Sequence, residues 1–227
     1  MILTGKKAVV TGGGTGIGLA IAKVLAMQGC RVAITGRREE VLNEACKSFG
    51  GICVKMDVAD EVSVVKGMQH IADQFGGIDI CVANAGIAEG QNIRNSNFEF
   101  WRKIMAINLD GAYLTIRESL RHMQMKEWGR IIAISSIAGV RGLKGAHAYS
   151  ASKHGVIGMI RSLSADHAKF PVTFNAICPG YVDTDIIAKN TASISERAQV
   201  THDEARAMMV NLNPHGRLIT SQEVASA

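Results

Sequence analysis

The sequence predicts an α/β fold: a doubly wound parallel sheet of at least six strands with helices on both faces. Three observations predict it. Short apolar runs alternate with longer amphipathic stretches along the chain, the order that builds a parallel sheet through right-handed crossovers. The short runs are rich in Val and Ile and mostly lack period-two alternation, as expected of strands buried on both faces. Of the 227 residues, 47% are hydrophobic and 20% charged, enough for a full core and unlike a disordered or fibrous chain. One domain over residues 1–227 is expected, because α/β folds often run past about 200 residues undivided.

The elements follow in order. The first strand is expected over Ala8–Thr11 and the first helix over Ile17–Gln28, with a glycine-rich joint between them. Next come a strand over Arg31–Thr35, a helix over Glu39–Phe49, a strand over Ile52–Met56 and a helix over Glu61–Phe75. A strand over Ile78–Ala83 leads to a long helical stretch, Phe98–Lys126, expected to be two helices. A strand over Arg130–Ser135, a helix over Tyr149–Lys169 and a strand over Val172–Cys178 complete the rhythm, with Pro171 and Pro179 flanking the last strand. Residues 184–217 break that rhythm. Ser193–Glu196 and Thr201–Glu204 each read S/T-x-x-E, the capping box that starts a helix, so short helices are expected there. An insertion at the carboxyl edge of a sheet suits a substrate lid, with Met208 and Met209 as adaptable apolar contacts, or a helical pair packed on the core. A third box, Thr220–Glu223, starts a helix that stops within about two turns, too short to be stable alone, so a natural continuation is expected.

Composition excludes several classes. The net charge of +5 is spread in runs no longer than a pair such as Arg37-Arg38, a solvated surface and not a nucleic-acid footprint. Aromatics are only 5%, too few for base-stacking platforms. No apolar run approaches the roughly 20 residues that span a bilayer. The start, MILTGKK, lacks a secretory apolar stretch, so a cytoplasmic location is expected. Cys30, Cys46, Cys53, Cys81 and Cys178 show no CxxC or Cys/His ligand spacing and read as reduced thiols, with no metal site.

The joint after the first strand reads Thr11-Gly12-Gly13-Gly14-Thr15-Gly16-Ile17-Gly18. Glycines at 12, 16 and 18 allow a tight turn, close approach of backbone to a pyrophosphate and close helix–strand packing, and the helix N-terminus offers N–H groups to the anion. Placed between the first strand and the first helix, the run points to a Rossmann-type dinucleotide cradle. It lacks the Gly-Lys-Ser/Thr ending of an ATPase loop. The second strand ends Ile34-Thr35-Gly36-Arg37-Arg38. Gly36 removes the carboxylate that chelates the ribose of NAD, and Arg37 with Arg38 suits a 2′-phosphate, so NADP is favoured and NAD stays possible.

Tyr149 and Lys153 lie four residues apart at a helix start and so share one face. A phenol has a pKa near about 10, and a neighbouring ammonium favours the phenolate, which fits Tyr149 for proton exchange with a substrate oxygen. Ser136 follows the fifth strand at the ligand-binding edge and suits a donor to a carbonyl oxygen gaining charge. No GxSxG elbow surrounds it.

With these residues in view, the chain resembles the short-chain dehydrogenase/reductase family, in its common subgroup, over essentially the whole sequence. The resemblance rests on TGGGTGIG at 11–18, Asp57-Val58, Asn84-Ala85-Gly86, Asn108, Ser136, YSASK at 149–153, and Pro179-Gly180 with Thr184. It implies an NAD(P)-dependent oxidoreductase acting on a secondary alcohol or ketone. Asp57 and Val58 would meet the adenine, and Asn84, Ala85 and Gly86 the ribose side. Pro179, Gly180, Val182 and Thr184 would face the nicotinamide. Tyr149 would be the acid/base, Ser136 the oxygen donor, Lys153 the ribose ligand that tunes Tyr149, and Asn108 the holder of a relay water. A 3-oxoacyl or 3-hydroxyacyl thioester is the substrate class it most suggests, with Glu89, Arg141, His147 and Tyr181 near the pocket. A homodimer or homotetramer is implied. The family's further helix, seventh strand and glycine-containing tail are absent from the sequence. An NAD-dependent dehydrogenase of a small hydroxy compound and a truncated, non-catalytic nucleotide-binding module remain alternatives.

Overall fold

The computed structural model describes residues 1–124 and 127–227. Among them, β1 (Lys7–Thr11), β2 (Arg31–Gly36), β3 (Ile52–Lys55), β4 (Ile80–Ala83), β5 (Gly129–Ile134) and β6 (Val172–Ile177) form one sheet in the order β3-β2-β1-β4-β5-β6. All pairings are parallel, with Ala8 opposite Val32 on one side and Ile80 on the other. The strand order reverses between β1 and β4, so the loops at their carboxyl ends diverge and open a crevice.

Successive residues of β1 serve opposite faces. Val9 packs with Ile71 and Phe75 of α3 (Glu61–Phe75), Ile116 of α5 (Gly111–Arg121) and Ile160 of α6 (His147–Asp166). Ala8 and Val10 pack with Ile21 of α1 (Gly16–Met27) and Leu42 of α2 (Glu39–Lys47). Burial on both faces explains the continuous apolar runs, and each fully buried Val or Ile contributes roughly 1.5–3 kcal/mol relative to exposure.

The long helical stretch is a rod, not two separated helices. α4 (Phe98–Met105), capped by Asn97, runs through a π-helical segment, Ala106–Asp110, into α5. The wider π turn points Asn108 into the interior, where it is 1% exposed. Lys126, the expected end of this stretch, lies outside the described residues. α6 begins at His147, two residues before the predicted start at Tyr149, and ends at Asp166, short of Lys169.

After β6 come α7 (Asp185–Ala198), α8 (His202–Val210) and α9 (Ser221–Ala225). The capping boxes at Thr201–Glu204 and Thr220–Glu223 are both formed. Ser193–Glu196 starts no helix; it lies within α7. Ile187 in the first turn of α7 packs against Met209 and Leu218, so tertiary burial extends the helix upstream of the local signal. α9 lies on α1, with Ala225 against the apolar layer that holds Val10, Ile21 and Leu42. All five cysteines are free, and burial pushes the Cys81 thiol up to about 12. No described helix is long and apolar enough to cross a membrane.

Candidate active site

A cleft of about 1240 Å³ opens at the carboxyl ends of the strands, over the point where the strand order reverses. The loop from β1 to α1 forms its floor. Gly12 and Gly16 have φ of +64° and +53°, a region that side chains disfavour. At Gly18 a Cβ would lie 2.4 Å from the Gly12 carbonyl oxygen and 2.5 Å from Asn84 Nδ2. Only glycine lets α1 sit this close behind the turn. Gly14, Thr15 and Ile17 line the same floor, above the N-terminus of α1.

Asn84, Ala85 and Gly86 follow β4 and are locked to that turn. Thr11 Oγ1 accepts the backbone N–H groups of Asn84 and Ala85, each at 3.1 Å, and Asn84 Nδ2 donates to the carbonyls of Thr11 (2.9 Å) and Gly12 (3.3 Å). The Asn84 amide therefore shapes the cradle from behind. Asp57 lines the cleft with Val58, and its Oδ1 accepts the Ala59 N–H at 3.0 Å. At the end of β2, Arg37 and Arg38 are exposed along the rim and have no ion-pair partner among the described residues. A Cβ at Gly36 would meet only Leu42, at an ordinary 3.5 Å, so glycine there leaves open space without steric need. Beside it, Thr35 Oγ1 is buried without a hydrogen-bond partner. Two positive-φ glycines, a Cβ-intolerant turn and an unsatisfied hydroxyl beside the crevice fit a bound dinucleotide.

At the other end Ser136, Tyr149 and Lys153 line one wall. Ser136 caps the 3₁₀ turn Ile137–Gly139, its Oγ accepting the Ala138 N–H at 3.1 Å, and its hydroxyl is near enough to Tyr149 to favour the phenolate. Lys153 Nζ donates to the Ile134 carbonyl at 2.8 Å and stands 5.9 Å from the Tyr149 ring centroid. Burial lowers the Lys153 ammonium to about 8. The Tyr149 phenol does not show the lowering expected from that ammonium. Burial raises it, against the lowering effect of the Ser136 hydroxyl, and Tyr181 adds to the rise. The physical reason is that both side chains sit in the same desolvated wall, where charging either one is disfavoured.

Asn108 lies behind this wall and does not line the cleft. Its Oδ1 accepts the Ile87 N–H (2.8 Å), and its Nδ2 donates to the Ile87 carbonyl (2.9 Å) and to Ser152 Oγ (3.1 Å). Ser152 Oγ in turn donates to the Tyr149 carbonyl at 2.8 Å. The side-chain amide ties the loop after β4 to the first turn of α6. Pro179, Gly180, Val182 and Thr184 line the roof.

Of the expected substrate-end residues, Arg141, Tyr181 and Glu89 line the cleft. Glu89 is held by Lys103 Nζ at 2.8 Å. His147 is turned away: its Nε2 lies 3.1 Å from Ser96 Oγ and its ring packs on Phe100. One buried residue was missed. Asn213, 3% exposed, accepts the Tyr181 N–H at 3.0 Å and donates to the carbonyls of Tyr181 (2.9 Å) and Arg217 (2.7 Å). In the sequence, Asn213-Pro214 reads only as a turn.

A glycine cradle at the switch point of a doubly wound sheet, with Ser, Tyr and Lys at its far wall, defines a nicotinamide-dependent oxidoreductase of alcohols and carbonyls. The short chain dehydrogenase family matches residues 6–195, and the chain belongs to that family. It is 35% identical to D-beta-hydroxybutyrate dehydrogenase of Cupriavidus necator, covering 99% of this chain and 90% of that protein. It is 36% identical to the 3-oxoacyl-[acyl-carrier-protein] reductase of Aquifex aeolicus, covering 99% and 88%. The structure of an actinorhodin polyketide ketoreductase variant with NADPH matches with a TM-score of 0.93 at 32% identity, covering 97% of this chain and 87% of that one.

Proposed function

We propose that the chain reduces a ketone, or oxidises the matching secondary alcohol, with NADP(H), and that Tyr149 handles the proton. The observation that carries this reading is the joining of Ser136, Tyr149 and Lys153 at one end of a cleft whose other end carries unpaired Arg37 and Arg38. When bound, the nicotinamide supplies or accepts the hydride. Arg37 and Arg38 hold the 2′-phosphate, because no carboxylate stands at Gly36 to repel it. Ser136 donates to the carbonyl oxygen as it gains charge. Burial keeps Tyr149 protonated at neutral pH, which suits a proton donor in the reductive direction. Lys153, fixed by the Ile134 carbonyl, holds its charge beside that phenol.

A 3-oxoacyl or 3-hydroxyacyl compound is the favoured substrate class, supported by the names of the two relatives. Ile194, Met208 and Leu212 of the α7–α8 segment flank the reaction end and serve as a lid. Fluorescence titration with NADPH and NADH, repeated on Arg37→Ala, tests the cofactor assignment. NADPH binding is expected to be tighter and to weaken selectively in the variant. Tyr149→Phe should abolish turnover and keep NADPH binding; retained turnover refutes the proton role.

A further inference from the structure

We propose that Arg141 and Tyr181 form an anion subsite beside the reacting carbon, so that the substrate is a short oxoacid or hydroxyacid held by its own carboxylate. This rests on the reading of the site as a carbonyl reductase and narrows it from acyl compounds in general to free acids.

Position comes first. The Ser136 side chain caps the turn Ile137–Gly139, and the Arg141 N–H donates to the Ile137 carbonyl at 3.1 Å, so Arg141 is anchored on the same turn as the oxygen donor. Its side chain is exposed and lines the cleft. Tyr181 lines the opposite roof, its backbone gripped on both sides by the buried Asn213 amide. The two side chains are electrostatic neighbours, the Arg141 cation acting on the Tyr181 phenol, and Tyr181 in turn neighbours Tyr149. Arg141, Tyr181 and Tyr149 all line this one cleft.

Charge comes second. At this end Glu89 is neutralised by Lys103, and the remaining acid is Asp185 in the first turn of α7. Arg141, Lys144 and Lys189 also line the cleft and have no ion pair among the described residues. The substrate end therefore holds more cation than anion. A guanidinium fork and a phenol hydroxyl are both donors, the complement of a two-oxygen anion. With the carbonyl oxygen on Ser136 and Tyr149, a carboxylate on Arg141 and Tyr181 would lie in the same cleft. A neutral ester or thioester leaves Arg141 facing no charge.

The test compares kcat/KM, with NADPH, for 2-, 3- and 4-oxoacids (pyruvate, acetoacetate, levulinate) and their methyl esters. Acetoacetyl-CoA and acetoacetyl-N-acetylcysteamine separate the substrate's own carboxylate from a carrier's phosphates. The native chain should prefer at least one acid to its ester by about tenfold or more, the scale of a hydrogen bond to a charged group. Arg141→Gln should collapse that ratio towards unity, mainly through KM, and Arg141→Lys should restore part of it. Equal turnover of acids and esters, or an acid preference that survives Arg141→Gln, overturns the subsite and leaves the reductase reading standing. A loss confined to acetoacetyl-CoA overturns it in favour of a carrier phosphate. No turnover of any compound with NADPH or NADH defeats the reductase reading and the subsite together.

Discussion

Replacing Lys153 by Met should make the protein more stable at neutral pH while destroying its activity. Lys153 is 5% exposed, and burial lowers its pKa from the ordinary 10.5 to about 8. That lowering corresponds to roughly 3 kcal/mol of destabilisation wherever both folded and unfolded forms are charged, that is below pH 8. Met fills a similar volume without charge, but it loses the hydrogen bond from Nζ to the Ile134 carbonyl, worth about 1 kcal/mol. The net gain is about 2 kcal/mol at pH 7, or roughly 4–8 °C in Tm for a chain of this size. The sign follows from proton counting. Between pH 8 and 10.5 the unfolded chain binds the Lys153 proton and the folded chain has released it, so this group makes native stability rise with pH across that window. The variant lacks that rise, so its advantage should shrink to nothing or reverse near pH 10.5. Urea unfolding of both proteins at about pH 7 and about pH 10, beside a turnover assay, measures each part. A Lys153→Met variant less stable than the native chain at neutral pH, or an advantage of equal size at both pH values, refutes the reasoning. The cost of burying this ammonium is then a property of the active site, and removing it is a gain only to the fold.

Gly18→Ala should fail in both folding and binding. The new Cβ meets the backbone oxygen of Gly12 at 2.4 Å, an overpacking cost of about 1–3 kcal/mol or more, and it displaces the Asn84 amide from the cradle. Thermal melts and NADPH titration check it, and native-like affinity would show that the turn is not the phosphate site. Gly158→Ala is the contrasting case: the position lies in α6, is exposed and has nothing within 4 Å, so stability should rise by about 0.5–1 kcal/mol. A fall in stability there would show that this face of α6 packs against something in solution. Asn213→Ala strands the part-buried N–H and carbonyl of Tyr181, at a cost of about 1–3 kcal/mol, and should raise KM more than it lowers kcat. An equal loss in both parameters for every substrate would assign Asn213 to the fold alone.

The legible part of this protein is the part set by short-range chemistry. Val9 between Ala8 and Val10 reads as a strand buried twice over, because each neighbour needs its own apolar layer. The glycines at 12, 16 and 18 read as a cradle because backbone conformation and contact at those positions tolerate nothing larger. Of the run 11–18, all but the buried Thr11 and Gly13 line the cleft, as do the roof residues Pro179, Gly180, Val182 and Thr184, and Ser136, Tyr149 and Lys153. Asn108 was legible as important but not in its geometry. The π segment that turns it inward inserts one residue into the helical register, and nothing in Ala106–Asp110 marks such an insertion locally.

His147 shows how a small boundary error becomes an error about the site. With a helix starting at Tyr149, the direction of His147 is unconstrained, and proximity in sequence places it near the substrate. The helix in fact starts at His147, which fixes the two side chains about 200° apart around one axis. Tyr149 lines the cleft, and His147, on another side of the helix, does not: it packs on Ser96 and on the cleft residue Phe100. The same rotation brings Lys153, one turn on, back beside Tyr149. What decides the start is long-range: Asn108, through Ser152, secures the first turn of α6. Asn213 acts likewise on Tyr181 from the far end of the chain. In both cases a buried amide bonds the N–H and carbonyl of one loop residue, as a neighbouring strand would. Such a partner can be supplied from any distance in sequence, and for that reason periodicity and motif spacing reveal the residues that face the ligand more readily than those that hold them in place.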